Sequence, residues 1–295
     1  MQGSLATRAL NLFLHRRNRN TLSGSRRNIA RHYDLGNEFY RLWLDDSMSY
    51  SSALYHQHGE TLELAQQNKI NRVISLLNPQ HGSRVLEIGC GWGTLATEIA
   101  RQCGSTVLGI SLSAEQLAYA SAAEAGAGLD TRFEFRDYRD LEGQYDHVVS
   151  IEMFEAVGHE YWDDYFECLA QVLKPGGTAA LQIITIQEER YDDYRATPDF
   201  IQKYIFPGGM LPTRTHLHQL TERFGFELTD SQWFGPSYAA TLAEWRSRFE
   251  RARDSVLALG FDERFVRMWR YYLAYCEAGF ACGRTDVGLI RLQKS

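Results

Sequence analysis

Val85-Leu86-Glu87-Ile88-Gly89-Cys90-Gly91-Trp92-Gly93 decides how this chain folds. A short apolar run ends in three closely spaced glycines, and a helical pattern follows over roughly 92–103. A strand that turns directly into a helix has this form. Glycines at the turn let the backbone approach a ligand, and the helix N-terminus offers N–H groups with no partner of their own. Outward from this point the alternation continues. Strands are predicted at Thr106–Ile110, Phe133–Phe135, His147–Ile151 and Ala179–Ile186, with helices between them. Ser113 and Gln116 have capping spacing, and Lys174-Pro175-Gly176-Gly177 stops the helix over 160–172. Strand and helix in this rhythm imply right-handed crossovers and a mostly parallel sheet. Helices at 27–46, 60–77, 237–258 and 262–280 and strands near 226–234 and 286–293 complete the plan. On the 60–77 helix, Leu62, Leu64, Ile70, Val73 and Leu77 form the expected apolar face.

The glycine spacing selects among cofactors. A dinucleotide site wants G-x-G-x-x-G and an acid about twenty residues on for the ribose. Here the pattern is G-x-G-x-G, and Gly109-Ile110-Ser111 stands where the acid belongs. The acid precedes the glycines instead, as Glu87. No pyrophosphate needs cradling, and a carboxylate can hold an amino-acid end. This favours S-adenosylmethionine over a nicotinamide, a flavin or a turn with no ligand, with Glu87, Gly89, Gly91 and Gly93 at the site. Asp137-Tyr138 adds a carboxylate able to accept from an adenine amino group, beside a ring able to pack on the base.

Composition narrows the class. Hydrophobic residues make up 44% of the 295 and charged residues 23%, which excludes a disordered chain. No apolar run approaches the ~18 residues of a membrane span. Five cysteines with no C-x-x-C pair argue against a disulfide scaffold or a zinc site, and no metal is expected. The net charge of −6 hides an asymmetry, because residues 1–31 hold seven arginines and no acid. Such an arm fits a disordered tail, a transit peptide or a nucleic-acid contact. With Leu5, Leu10, Leu12, Phe13 and Leu14 it fits an anionic membrane surface best. Nucleic acid is not expected as a partner.

Six segments in order resemble the cyclopropane fatty acid synthases, the family of cyclopropane-fatty-acyl-phospholipid and mycolic acid cyclopropane synthases. They are Arg31–Asn37, Ser47–Ser51, Val85–Gly93, Gly109–Ser113, Met153–Gly158 and Tyr204–Gly209. The likeness runs from about 26 to 293. It implies a Rossmann-like class I S-adenosylmethionine-dependent methyltransferase with a seven-stranded, mostly parallel sheet. A basic arm over 1–26 would touch the membrane. The methyltransferase domain would span 27–295, with an N-terminal helical cap over 27–78. Residues 187–212 and 237–280 would cover the acyl site.

The implied reaction moves a methyl group from S-adenosylmethionine to the double bond of an unsaturated phospholipid acyl chain and closes a cyclopropane ring. By motif, Tyr33, Tyr50, Ser51, Gly89, Gly91, Ser111, Leu112, Gln116, Asp137 and Tyr138 would line the cofactor site. The family's base is a bound bicarbonate. Its cradle matches at Glu155, Ile184 and Tyr238 and departs at Ser52 and Gln182, where many members have Cys and His. Neither Ser nor Gln can carry charge near neutral pH. Three alternatives stay open: methylation without ring closure, giving a methylated alkene or a branched or furan fatty acid precursor; a lipid- or cofactor-binding protein without turnover; and a methyltransferase of soluble small molecules. The expected location is the cytoplasm, peripherally on the membrane. The oligomeric state is left open, a homodimer being one option.

Overall fold

The computed structural model describes Asn20, Thr21, Gly24, Ser25 and residues 35–295. Most of the basic arm, Tyr33 and the first residues of the helical cap lie outside the described residues. Asn20, placed in the arm by sequence, packs on the body. Its Nδ2 donates to the carbonyls of Ala156 (2.8 Å) and Gly208 (3.0 Å).

The cap contributes α1 (Asn37–Arg41) and α2 (Leu62–Leu77). Leu64 does not join the apolar face of α2; it is 49% exposed. Ala65, Gln66 and Lys69 are buried instead. The polar pair is turned inward because it has partners. Gln66 Nε2 donates to the Ser51 carbonyl (3.0 Å), and Lys69 Nζ to Ser51 Oγ (2.7 Å).

The sheet follows: β1 (Arg84–Ile88), α3 (Thr94–Cys103), β2 (Thr106–Ser111), α4 (Ala114–Glu124), β3 (Thr131–Phe135), β4 (Tyr145–Ile151), α5 (Phe154–Val157), α6 (Trp162–Val172) and β5 (Leu173–Ile186). Among the described residues the strands form one seven-stranded sheet, ordered β3-β2-β1-β4-β5-β7-β6. β6 (Phe226–Trp233) and β7 (Thr285–Lys294) complete it, and β7 runs antiparallel to both neighbours. β5 begins six residues before the predicted strand and takes in the Lys-Pro-Gly-Gly stop. Pro175 cannot donate to a ladder and Gly176 adopts φ 74°, so pairing with β4 skips from Leu173 to Thr178.

Side chains alternate across the sheet, Val85 and Val107 to one face, Leu86 and Ile110 to the other. The first face is covered by α1, α2, α3, α10 (Gly235–Arg251) and α12 (Glu263–Ala281). Trp43, Trp245 and Trp269 sit at its centre, with Trp43 5.6 Å from Trp245 and 5.9 Å from Trp269. The helix predicted over 237–258 breaks at Ala252, and α11 (Arg253–Ala258) starts there. Between β5 and β6 come α7 (Tyr191–Ala196), α8 (Phe200–Tyr204) and α9 (Arg214–Arg223), so the 187–212 insertion is two short helices and their loops. Strands β2 and β3 extend one way from β1, and β5 the other way from β4. The crevice beyond the C-terminal ends of β1 and β4 is therefore the switch point at which such sheets bind ligands.

Candidate active site

A cavity of about 730 Å³ occupies that crevice. It is large enough for a nucleoside-sized molecule together with a stretch of acyl chain. Tyr50, Ser51, Glu87, Gly89, Gly91, Ser111, Leu112, Gln116, Asp137 and Tyr138 all line it, which gathers the expected cofactor residues into one place. Gly93 does not join them. A Cβ there would come within 2.7 Å of Phe133 Cζ and 2.8 Å of Ala120 Cβ, so its glycine serves helix packing. A Cβ on Gly91 would meet nothing within 4 Å. That glycine faces the open cavity.

Gln116 makes half of the predicted capping box. Its N–H donates to Ser113 Oγ (3.3 Å), while its side chain accepts from Ser111 Oγ (3.1 Å). Asp137 is already forked by the Arg139 guanidinium, at 2.8 Å to each oxygen, which leaves further lone pairs toward the cavity. Glu87 is fully buried at the end of β1, and among the described residues its Oε2 has no hydrogen-bond partner. Burial pushes its carboxyl up to about 8, against the pull of the Ala96 N–H and of Lys69. A lone buried carboxyl oxygen beside open space over Gly91 fits a ligand with a cationic amino-acid end. S-adenosylmethionine is such a ligand, and these residues fit it.

The expected bicarbonate cradle is different. Its donors are present, but each already serves a carboxylate of this chain. The Ile184 N–H donates to Glu155 Oε1. The Ser52 N–H (2.8 Å) and Gln182 Nε2 (2.7 Å) donate to Oε1 of Glu152, and Tyr238 Oη donates to its Oε2 (2.6 Å). The Ser52 hydroxyl is spent on the Ala53 carbonyl (3.0 Å). Another anion here would find the Ile184, Ser52, Gln182 and Tyr238 donors already engaged by Glu155 and Glu152 and would lie against the Glu152 carboxylate, so the residues do not fit bicarbonate. Ser52 and Gln182 are completely buried and do not line the cavity; they position Glu152 from behind. Glu152, Glu155, Ile184 and Tyr238 face the cavity.

Sequence reasoning missed Glu152. It follows β4 directly and adopts φ 50°, a left-handed conformation that costs a non-glycine residue roughly 1–2 kcal/mol. A strained residue held by three donors is over-determined by its surroundings, as functional residues often are. Burial raises its carboxyl, while the bonds from Tyr238, Ser52 and Gln182 and the charge of Lys69 pull it down. Glu155 is pushed up to about 8, first by burial and then by the Glu152 charge, with the Ile184 N–H opposing. Glu155 is thus protonated near neutral pH, while the three donors and the Lys69 charge favour the charged form of Glu152 against its burial. Lys69, brought down to about 8 by burial, is a cation shared by Glu152, Asp45 and Glu87.

Residues 20–290 match the family model of mycolic acid cyclopropane synthetase. The chain belongs to this family. It is 45% identical over 273 residues to the tuberculostearic acid methyltransferase UfaA1 of Mycobacterium tuberculosis, covering 89% of this chain and 64% of that protein. It is 41% identical over 249 residues to the cyclopropane-fatty-acyl-phospholipid synthase of Escherichia coli, covering 84% of this chain and 63% of the relative. The chain thus spans somewhat less than two thirds of these relatives. The solved structure of the cyclopropane synthase MmaA2 from Mycobacterium tuberculosis superposes with a TM-score of 0.86 at 31% identity, over 91% of this chain and 98% of that one. CmaA1, solved with SAH and CTAB, gives 0.86 at 30% identity, over 91% and 98%. The fold is the Rossmann-like fold of S-adenosylmethionine-dependent methyltransferases.

The two glycines separate function from packing. Gly91→Val, at φ 53°, should abolish S-adenosylmethionine binding in calorimetry while the domain still melts cooperatively, whereas Gly93→Ala, at φ 87° and against Phe133 and Ala120, should lower the melting temperature and spare cofactor binding. Normal cofactor affinity in Gly91→Val would mean the site lies elsewhere. Glu155 yields a test in pH. Its folded carboxyl titrates near 8 and its unfolded one near 4.5, so the wild type loses stability as pH rises between those values. Glu155→Gln removes the ionisation, so its melting temperature should gain on the wild type from about pH 5 to about pH 8. A constant gap would contradict the assignment.

Proposed function

We propose that this protein transfers the methyl group of S-adenosylmethionine to the double bond of an unsaturated phospholipid acyl chain, and that proton loss from the new methyl closes a cyclopropane ring. One observation carries this: a single cavity joins the Glu87–Gly91 turn to Glu152, a carboxylate held by three donors. The family match and the SAH in the CmaA1 structure support the cofactor.

The cofactor, when bound, supplies an electrophilic methyl on a sulfonium. Glu87 would hold its amino-acid end and the Gly91 turn would admit its backbone. An alkene is a weak nucleophile, so alignment within the cavity supplies much of the rate. Methyl transfer leaves a carbocation on the chain. Tyr50, Phe206, Tyr238, Tyr272 and Phe280 line the cavity, and ring faces stabilise a cation by ~0.5–2 kcal/mol each. The insertion and α12 wall the cavity and so limit the water that could trap the cation.

Glu152 takes the proton. A carboxylate has about four acceptor positions. Oε1 uses two for Ser52 and Gln182 and Oε2 one for Tyr238, which leaves one position on Oε2 for the substrate. Burial holds the Tyr238 hydroxyl well above its ordinary value, so it remains a donor throughout. The proton this oxygen reaches decides the product: one from the new methyl gives the ring, one from the chain gives a methylated alkene. Replacement of the anion by a fixed carboxylate favours the second product as the alternative, as does similarity to a relative named a methyltransferase rather than a cyclopropane synthase.

Glu152→Gln keeps the shape and lets its one oxygen accept from Ser52 and Gln182, while its amide nitrogen would have to donate to Tyr238 Oη instead of accepting; it cannot take a proton. It should retain fold and cofactor affinity and lose ~10²–10⁴-fold in turnover. The assay is mass spectrometry of fatty acids from cells rich in unsaturated phospholipids. Wild-type cells should accumulate a chain heavier by one methylene unit, and its fragmentation separates ring from methylated alkene. No modified lipid in the wild type would refute the activity; full turnover by Glu152→Gln would refute the base.

A further inference from the structure

Six large apolar or aromatic side chains stand out as exposed among the described residues, and three of them form one cluster: Tyr204 (60%), Tyr271 (51%) and Tyr275 (40%). They surround half-buried Phe200. Its ring lies 5.3 Å from Tyr204, 4.7 Å from Tyr271 and 6.3 Å from Tyr275, and Tyr271 stacks 6.0 Å from Tyr275. Exposed aromatics in contact with one another leave apolar faces to water, and such a patch marks an interaction surface. Tyrosine in particular suits a boundary that is apolar on one side and wet on the other.

Two further facts select the occupant. On α12, Arg264, Arg267, Tyr271 and Tyr275 fall within one stripe at helical spacing. Arg264 and Arg267 have no ion-pair partner among the described residues, unlike Arg246, Arg248, Arg251 and Arg253 before them. Exposed Lys203, on α8 between Phe200 and Tyr204, likewise has no ion-pair partner among the described residues and adds a third cation. The patch is also continuous with the cavity. Tyr275 lines both, and the exposed residues Asp193, Thr197 and Ala278 beside it line the cavity as well, so the cavity opens here. The opening has acids of its own, Asp193 and Asp199. Asp199 is occupied by Tyr275 Oη (3.1 Å) and by the cap of α8.

We propose that the tyrosine cluster of α8 and α12, with Arg264 and Arg267, is the face that rests on an anionic phospholipid bilayer and admits the acyl chain to the cavity. This rests on the acyl-chain reading above and locates the contact on the folded body, in addition to the basic arm. The rings would lie at the headgroup level, the two arginines would meet lipid phosphates, and a chain leaving the bilayer would pass Tyr275 into the cavity without crossing water.

The test uses the full chain with vesicles of equal parts dioleoyl phosphatidylglycerol and dioleoyl phosphatidylcholine. Two variants are made, Tyr204→Ser with Tyr271→Ser, and Arg264→Glu with Arg267→Glu; none of these residues lines the cavity. Each should lower vesicle co-sedimentation by ~10-fold or more. Methylation of vesicle lipid should fall in parallel. Melting temperature, S-adenosylmethionine affinity and methylation of the same lipid in detergent micelles should stay at wild-type values. The arginine pair decides the matter if the tyrosine pair does not fold. Wild-type sedimentation by the arginine pair would overturn the proposal. So would equal loss of turnover in vesicles and micelles, or a change in oligomeric mass alone, which would give the face to a second copy. A wild type that binds vesicles but methylates no lipid would refute the activity and leave the surface standing on the sedimentation result.

Discussion

Three donors meeting on one carboxylate tie this structure together. Glu152 sits past the end of β4 in a left-handed conformation, and its ligands come from distant parts of the chain: Ser52 from the cap, Gln182 from β5 and Tyr238 from α10. A buried carboxylate without partners would neutralise or unfold its surroundings, because desolvation of a charge costs several kcal/mol. The cap, the sheet and the C-terminal helices must therefore all be in place for this group to exist as an anion.

The remaining charges follow from that constraint. Burial and the neighbouring Glu152 hold Glu155 protonated three residues away, and Lys69 supplies a buried cation through its place on α2. Glu87 stands apart at the end of β1 with an oxygen that has no partner among the described residues, which a cationic ligand would satisfy. Two carboxylates at the ends of adjacent strands thus have opposite duties, one toward a cofactor and one toward a proton. The aromatic walls between them suit a reaction that makes a cation from a hydrocarbon.

Much of this was legible in the sequence. Alternation of short apolar runs with helical periods gave the parallel half of the sheet, because local pattern controls that half. The glycine turn and Glu87 pointed to the cofactor through spacing alone. The failures have local causes as well. Leu64 looked like core by periodicity, but Gln66 and Lys69 had partners inside and turned the face. Gly93 matched the motif, yet its lack of a side chain serves Phe133 and Ala120. Pro175 read as a stop, whereas the strand accommodates it in a bulge. Glu152 was overlooked because an acid just after a strand resembles any loop acid. The signal was in the departures: Ser52 and Gln182 surrender charge at an anion site, and such a loss is consistent when the chain supplies the anion itself.

Dependence of turnover on dissolved carbonate tests that substitution most directly. Methyl transfer to unsaturated phospholipid would be followed in carbonate-free buffer under inert gas, and again after bicarbonate is restored. If Glu152 is the proton acceptor, the rate and the product are the same in both. A rate that falls on depletion and returns with bicarbonate would show that an external anion performs the step and that Glu152 does not fill its place.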